Sequence, residues 1–196
     1  MKVSWMTPCI EVSLSLVLLS ILPSVTAAQE HRVRQAADLI THSAVTIDRP
    51  ASVIWPYIVD PKQKSQWKQG LSLRHHAGQP GAVGEVQAAF DPADPETIVF
   101  LAKNAELVPN ERRTIKLYLP GSEETLLGFA TWTLTERDGR TRVTYDVYSE
   151  TLVPREEAWR MTAQRLAEME RQGYELNQPR FDRELVALKK LVEGQR

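Results

Sequence analysis

Residues 43–82 read SAVTIDRPASVIWPYIVDPKQKSQWKQGLSLRHHAGQPGA, and this window decides the fold. It opens on the β-branched run 43–48, bounded by Arg49-Pro50, which is a strand signal. Pro50 suits a helix start, and Val53, Ile54, Tyr57 and Ile58 give an apolar face at helical spacing. Pro56 falls inside that pattern, where a proline costs about 3 kcal/mol. The helix is therefore expected to start late, near Ser52, or to kink. Asp60-Pro61 ends it, and KQKSQWKQG (62–70) reads as a short polar helix with one apolar anchor, Trp67.

Beyond residue 71 the hydrophobic period switches from helical to two. Strands are expected over 71–76, 83–90, 97–108, 112–119, 125–136 and 141–149. Their separators, AGQPGA, DPADPE, PNE, PGSEE and RDGR, are rich in turn residues. Asp138-Gly139 is the sharpest of them, a hairpin signal between FATWTLTE and TRVTYDVY. Consecutive strands on hairpin-length connections describe an antiparallel meander.

The chain then turns helical. A helix is expected from Pro154, with Glu156 and Glu157 placed favourably against its N-terminal dipole. Trp159, Thr162, Ala163, Leu166 and Met169 share one face. Gly173 and the NQPR segment interrupt this helix near Pro179. A second segment then carries Phe181, Leu185, Leu188 and Val192 at spacings of four, three and four. No internal repeat or low-complexity stretch is present, and the class is a single α+β domain.

Outward from this domain, the N-terminus bears on compartment. Residues 14–25 form an apolar run broken by Pro23 and followed by Thr26, Ala27 and Ala28. A spanning helix needs about 20 apolar residues; this run is shorter and ends in a small-residue cleavage pattern, with cleavage after Ala27 or Ala28. Residues 1–28 therefore read as a signal peptide, 29–42 as a leader and 43–196 as the domain. Retention of the signal as an N-terminal anchor is the alternative. The expected location is periplasmic or secreted. The only cysteine, Cys9, lies inside the signal, so the mature domain must hold together by its core alone. A net charge of −1 with both signs interspersed gives no electrostatic footprint for nucleic acid or an anionic membrane.

Strand, two short helices, six antiparallel strands and a long C-terminal helix is the order of the helix-grip fold. With Ile47, Asp48, Pro50, Ile54, Trp55, Asp60 and Trp67 in place, the window resembles the START-like SRPBCC superfamily, in particular its polyketide cyclase/dehydrase and lipid-transport branch. GAVGEVQ (81–87), WTLTERDGRTRVTY (132–145) and ELVALKKLVE (184–193) are similar to that group as well. The resemblance implies a curved sheet of six to seven strands wrapped around the C-terminal helix, with a cavity between them for an apolar ligand. It implies no one reaction, because a fold hosts many functions. The exported reading points away from roles tied to a cytosolic partner.

Strand alternation selects the cavity wall. Leu126, Gly128, Ala130, Trp132 and Leu134 share one face, as do Val143, Tyr145 and Val147. Trp159, Ala163, Leu166 and Met169 would close the cavity from the helix side. The small residues Gly128, Ala130 and Ala163 favour a hollow between larger neighbours. Polar candidates are few. His75 and His76 are adjacent on a strand, so only one can point inward. Tyr118 and Tyr145 offer phenols, and Thr162 a hydroxyl whose expected use is bonding back to the preceding turn. Trp67 is expected to plug the helix–sheet corner.

For chemistry, no G-x-S-x-G elbow and no H-x-x-x-H metal spacing occurs, and no residue is assigned a catalytic role. No cofactor is expected. Three functions fit the sequence: a binding protein for a lipid, fatty acyl or polyketide-like aromatic; a cyclase-, dehydrase- or hydrolase-type enzyme using the same cavity; and a protein-interaction module without a ligand.

Overall fold

The computed structural model describes residues 31–154 and 162–194; the signal-like segment and Trp159 lie outside them. Strand β1 spans His31–Ile47, followed by helices α1 (Ala51–Val59) and α2 (Pro61–Lys64). Strands β2 (Ser72–Ala77), β3 (Val86–Asp91), β4 (Asp94–Val108), β5 (Arg112–Leu119), β6 (Ser122–Arg137) and β7 (Arg140–Pro154) come next. Helix α3 (Ala163–Gly194) closes the chain. The seven strands form one antiparallel sheet in the order β1-β7-β6-β5-β4-β3-β2, leaving β1 and β2 as its edges. All six strands expected beyond residue 71 are present. The β6–β7 hairpin turns at Asp138 and Gly139, whose φ values of 53° and 72° are what an Asp-Gly turn supplies at low strain.

Four expectations about the elements are corrected. β1 starts at His31, so it takes in residues that hydropathy alone sets apart as a leader; their backbone pairs with the end of β7, from His31↔Pro154 to Gln35↔Glu150. Pro154 accordingly ends a strand rather than starting a helix. α3 is continuous over 32 residues with Pro179 inside it. The proline removes one donor, that for the Glu175 carbonyl, but both residues are on the exposed side, where water can satisfy it. In α1 likewise, Pro56 is accommodated in a helix that starts at Ala51, whose N–H is held by Glu136 Oε2 at 2.8 Å.

α3 is fastened along the free edge of β1 by side chains that satisfy the strand's unpaired backbone groups. The Gln178 amide donates to the His42 carbonyl at 2.8 Å and accepts from the His42 N–H at 3.0 Å. Lys189 Nζ donates to the Thr46 carbonyl at 2.7 Å, and Glu193 accepts from the Asp48 N–H at 2.7 Å. Such an edge is otherwise a template for unwanted pairing. Beneath it, Phe181, Leu185, Leu188 and Val192 join Ile54, Ile58, Trp67, Trp132, Val143 and Tyr145 in the main core. Trp67 is buried at the corner between helices and sheet, and its indole N–H donates to the Tyr57 carbonyl at 2.9 Å.

Candidate functional site

Between the concave face of the sheet, the segment following α2 and the middle of α3 lies a cavity of about 320 Å³. Its floor is Ala102, Ile115, Leu117, Ala130, Trp132, Tyr145 and Val147. The hollow exists because small side chains meet in register. Ala130 faces Ile115 on one side and Val147 on the other, and Ala102 faces Leu117. Trp132 and Tyr145 stack at 4.5 Å, with Phe181 of α3 edge-on to Tyr145 at 5.1 Å. Val99, 44% exposed, marks the open side.

Polar groups enter this apolar space from the segment 62–70, which reads as a short polar helix. Lys64 is only 2% exposed, and its ammonium stands 4.1 Å from the centroid of the Trp132 ring. Burial pushes its pKa well below the usual lysine range, with the nearby Arg113 and Lys68 charges adding to the effect. Lys68, one turn on, reaches Glu184 of α3 at 2.5 Å and the Tyr145 hydroxyl at 3.1 Å. Burial works against its charged form, but the Tyr145 phenol and the Glu184 carboxylate more than offset it, so its pKa is raised. Burial also raises that of Tyr145. The site is thus a hydrophobic hollow with an ion pair on one wall and a second lysine beside it.

A second polar group underlies the site. Arg113 is fully buried; its guanidinium donates to Asn104 Oδ1 at 2.8 Å, Gln87 Oε1 at 3.0 Å and the Ile58 carbonyl. Burial lowers its pKa to about 10. Glu85, also buried, accepts from Gly81 N–H at 2.8 Å and from the side-chain amides of Gln87 and Asn104, each at 3.2 Å. Every strong donor here has an acceptor, which is the arrangement of a structural network joining the end of α1 to the sheet.

Among the residues chosen by alternation, Ala130, Trp132, Tyr145 and Val147 line the cavity. Leu134 and Val143 lie in the adjoining solid core. Leu126 lines a different, outer cleft together with Tyr118. The cause is a bulge: Leu117 pairs with Gly128 but Tyr118 with Leu126, so β6 has an extra residue there and the alternation slips. Gly128 makes no hollow. At φ 151°, its missing Cβ would stand 2.0 Å from the Tyr148 carbonyl oxygen. On α3 the contributing residues are Asn177, Arg180, Phe181 and Glu184. Ala163, Leu166 and Met169 do not line the cavity, because the turn of α3 over it lies further along the helix; Ala163 is exposed. Thr162 is exposed as well, and its hydroxyl does not bond back to the preceding turn but accepts from the Arg165 N–H at 3.1 Å, because it stands at the N-terminus of α3 and caps it.

Neither histidine points into the cavity. His76 is exposed, and His75, with its side chain 41% exposed, faces Glu85 at 3.4 Å in a surface cleft beside α2. The residues that sequence reasoning missed are Lys64, Lys68, Arg180 and Glu184. Their one legible signal is Lys64 and Lys68 at i and i+4 around the buried Trp67, which places both on one side of the turn.

Solved structures resemble this one at low identity. Protein MLL2253 from Mesorhizobium loti superposes with a TM-score of 0.58 at 13% identity, covering 80% of this chain and 98% of its own. Protein CV1439 from Chromobacterium violaceum gives 0.53 at 17%, covering 79% and 96%. The Aha1 protein from Colwellia psychrerythraea, solved as a dimer, gives 0.51 at 14%, covering 80% and 98%. No family model and no curated sequence matches the chain. At these identities the likeness shows the fold alone, a curved antiparallel sheet gripping a long C-terminal helix.

Proposed function

We propose that this protein is an exported binding protein for a lipophilic small molecule held between the sheet and α3. The observation that carries the reading is the apolar hollow of about 320 Å³ around Ala102, Ala130, Trp132 and Tyr145. That volume lies at the lower end of the ligand-pocket range of roughly 300–1,000 Å³. A closed, dry hollow costs about 24 cal/mol per Å³, and water entering on the Val99 side lowers that cost here without removing it from the apolar floor. An occupant offsets that cost and stabilises the fold through mass action. The signal-like N-terminus supports action outside the cytosol, and no helix among the described residues is long and apolar enough to cross a membrane.

Titration with a neutral, environment-sensitive dye, N-phenyl-1-naphthylamine, tests the reading. The dye is expected to brighten on binding, and Ala130→Phe, which fills the hollow, to abolish the signal while the far-ultraviolet spectrum stays that of the parent. Native mass spectrometry of protein taken from its own exported fraction is expected to show a co-purifying lipophile. A bare mass with a protein partner attached, together with no dye binding, would overturn the proposal in favour of an interaction module.

A further inference from the structure

Four charged side chains line the cavity, and they do not balance: Lys64, Lys68 and Arg180 stand against the single carboxylate of Glu184. Glu184 is already engaged by Lys68 at 2.5 Å. Neither Lys64 nor Arg180 has a carboxylate within ion-pair distance among the described residues. The charged groups that act on Lys64 come from every side: Arg113 on β5, Lys68 after α2, Glu184 on α3 and Glu85 between β2 and β3. Two are positive and two negative, and the positive pair, Arg113 and Lys68, act more strongly than Glu184 and Glu85, so Lys64 is left uncompensated. The Trp132 ring beneath it at 4.1 Å is a weak substitute for lost water. Arg180 repeats the pattern at the same cavity. Its guanidinium lies 4.7 Å from the Phe181 ring centroid, and its buried Nε has no acceptor among the described residues.

We propose that the cavity takes an apolar molecule bearing one carboxylate, with Lys64 as the ligand for that head group. The inference rests on the binding function proposed above and adds the chemical class of the ligand. A lysine without a counter-ion is seldom fully buried, and an anion supplied by the ligand completes the pairing that the protein leaves open. At about 320 Å³ the hollow lies at the small end of ligand pockets, which suits a compact apolar body. A straight acyl chain and a fused aromatic ring system are two sources of the same carboxylate.

Displacement of bound N-phenyl-1-naphthylamine from the purified protein by matched probes tests this. Decanoate is expected to compete at least about tenfold more tightly than decanol, or 2-naphthoate than 2-naphthol, because only the acids form a charge-assisted bond to Lys64. Decylamine is expected to compete worse than decanol. Lys64→Met is expected to bring the acid-to-alcohol ratio close to one. A readout on the parent protein does not depend on that variant folding: with the acid ionised throughout, decanoate affinity should fall as pH rises and Lys64 loses its proton, while decanol affinity stays level. Dye binding with equal affinity for acid and alcohol in both pairs would overturn the head-group assignment and leave the apolar cavity standing. Failure of the dye and of all the probes would overturn both.

Discussion

Lys68 Nζ and Glu184 Oε2 lie 2.5 Å apart with side chains only 8% and 1% exposed, so the segment after α2 and helix α3 meet through a buried ion pair. Removing one member of such a pair strands the other charge, at about 3–5 kcal/mol. Glu184→Leu should therefore lower unfolding free energy by roughly that amount in urea titration, whereas Lys68→Met with Glu184→Leu should recover most of the loss. The sign with pH follows from Lys68, whose pKa is raised above its ordinary 10.5. Its stabilisation is fully present below pH 10.5 and is lost as pH rises through the folded value.

Lys64 has the opposite linkage. Its folded pKa lies well below 10.5, so between that value and 10.5 the unfolded chain holds a proton that the native protein does not. Stability then rises with pH across this window. Lys64→Met removes the dependence. Urea titrations at pH 7, 8, 9 and 10 should show the variant more stable than the parent at the low end, with the difference shrinking as pH approaches 10.5. A constant difference at every pH would show that Lys64 keeps an ordinary pKa.

How much of this was legible follows from where local rules hold. Period-two alternation placed Ala130, Trp132, Tyr145 and Val147 on one face because β6 and β7 pair there without a slip, from Ala130↔Val147 to Arg137↔Arg140. It failed at Leu126 because a bulge is a property of two strands, not of one. The apolar stripe on α3 was readable, yet which turn of a 32-residue helix lies over the cavity is set by Gln178, Lys189 and Glu193 clamping β1. Lys64 and Lys68 belong to a run that reads as a polar helix, and lysines in such runs are usually solvated. Only the tertiary fold places Trp132 and Glu184 against them.

Gly128 separates backbone need from cavity shape. A Cβ there would meet the Tyr148 carbonyl oxygen at 2.0 Å, and φ is 151°. Since the obstacle is backbone of the paired strand, relief requires breaking the β6–β7 ladder. Gly128→Ala should cost about 3 kcal/mol or more. That lowers the thermal midpoint by roughly 6 °C or more for a domain of this size. Gly70 also has positive φ, 68°, but open space around its absent side chain, so Gly70→Asn should change the midpoint far less in the same scan.

Arg113 binds three acceptors from three segments: the Ile58 carbonyl at the end of α1, Asn104 on β4 and Gln87 on β3. A planar guanidinium can serve all three at once, whereas an ammonium on a flexible stem cannot reach them together. Arg113→Lys keeps the charge and should still destabilise by about 2–4 kcal/mol, because buried Asn104 and Gln87 lose a charged donor. Hydrogen exchange distinguishes this from general loosening. Amides of α1 and β3 should exchange faster in the variant than those of the β6–β7 hairpin, which accepts no hydrogen bond from the Arg113 guanidinium. Equal acceleration throughout would show that Arg113 acts on global stability alone and does not tie α1 to the sheet.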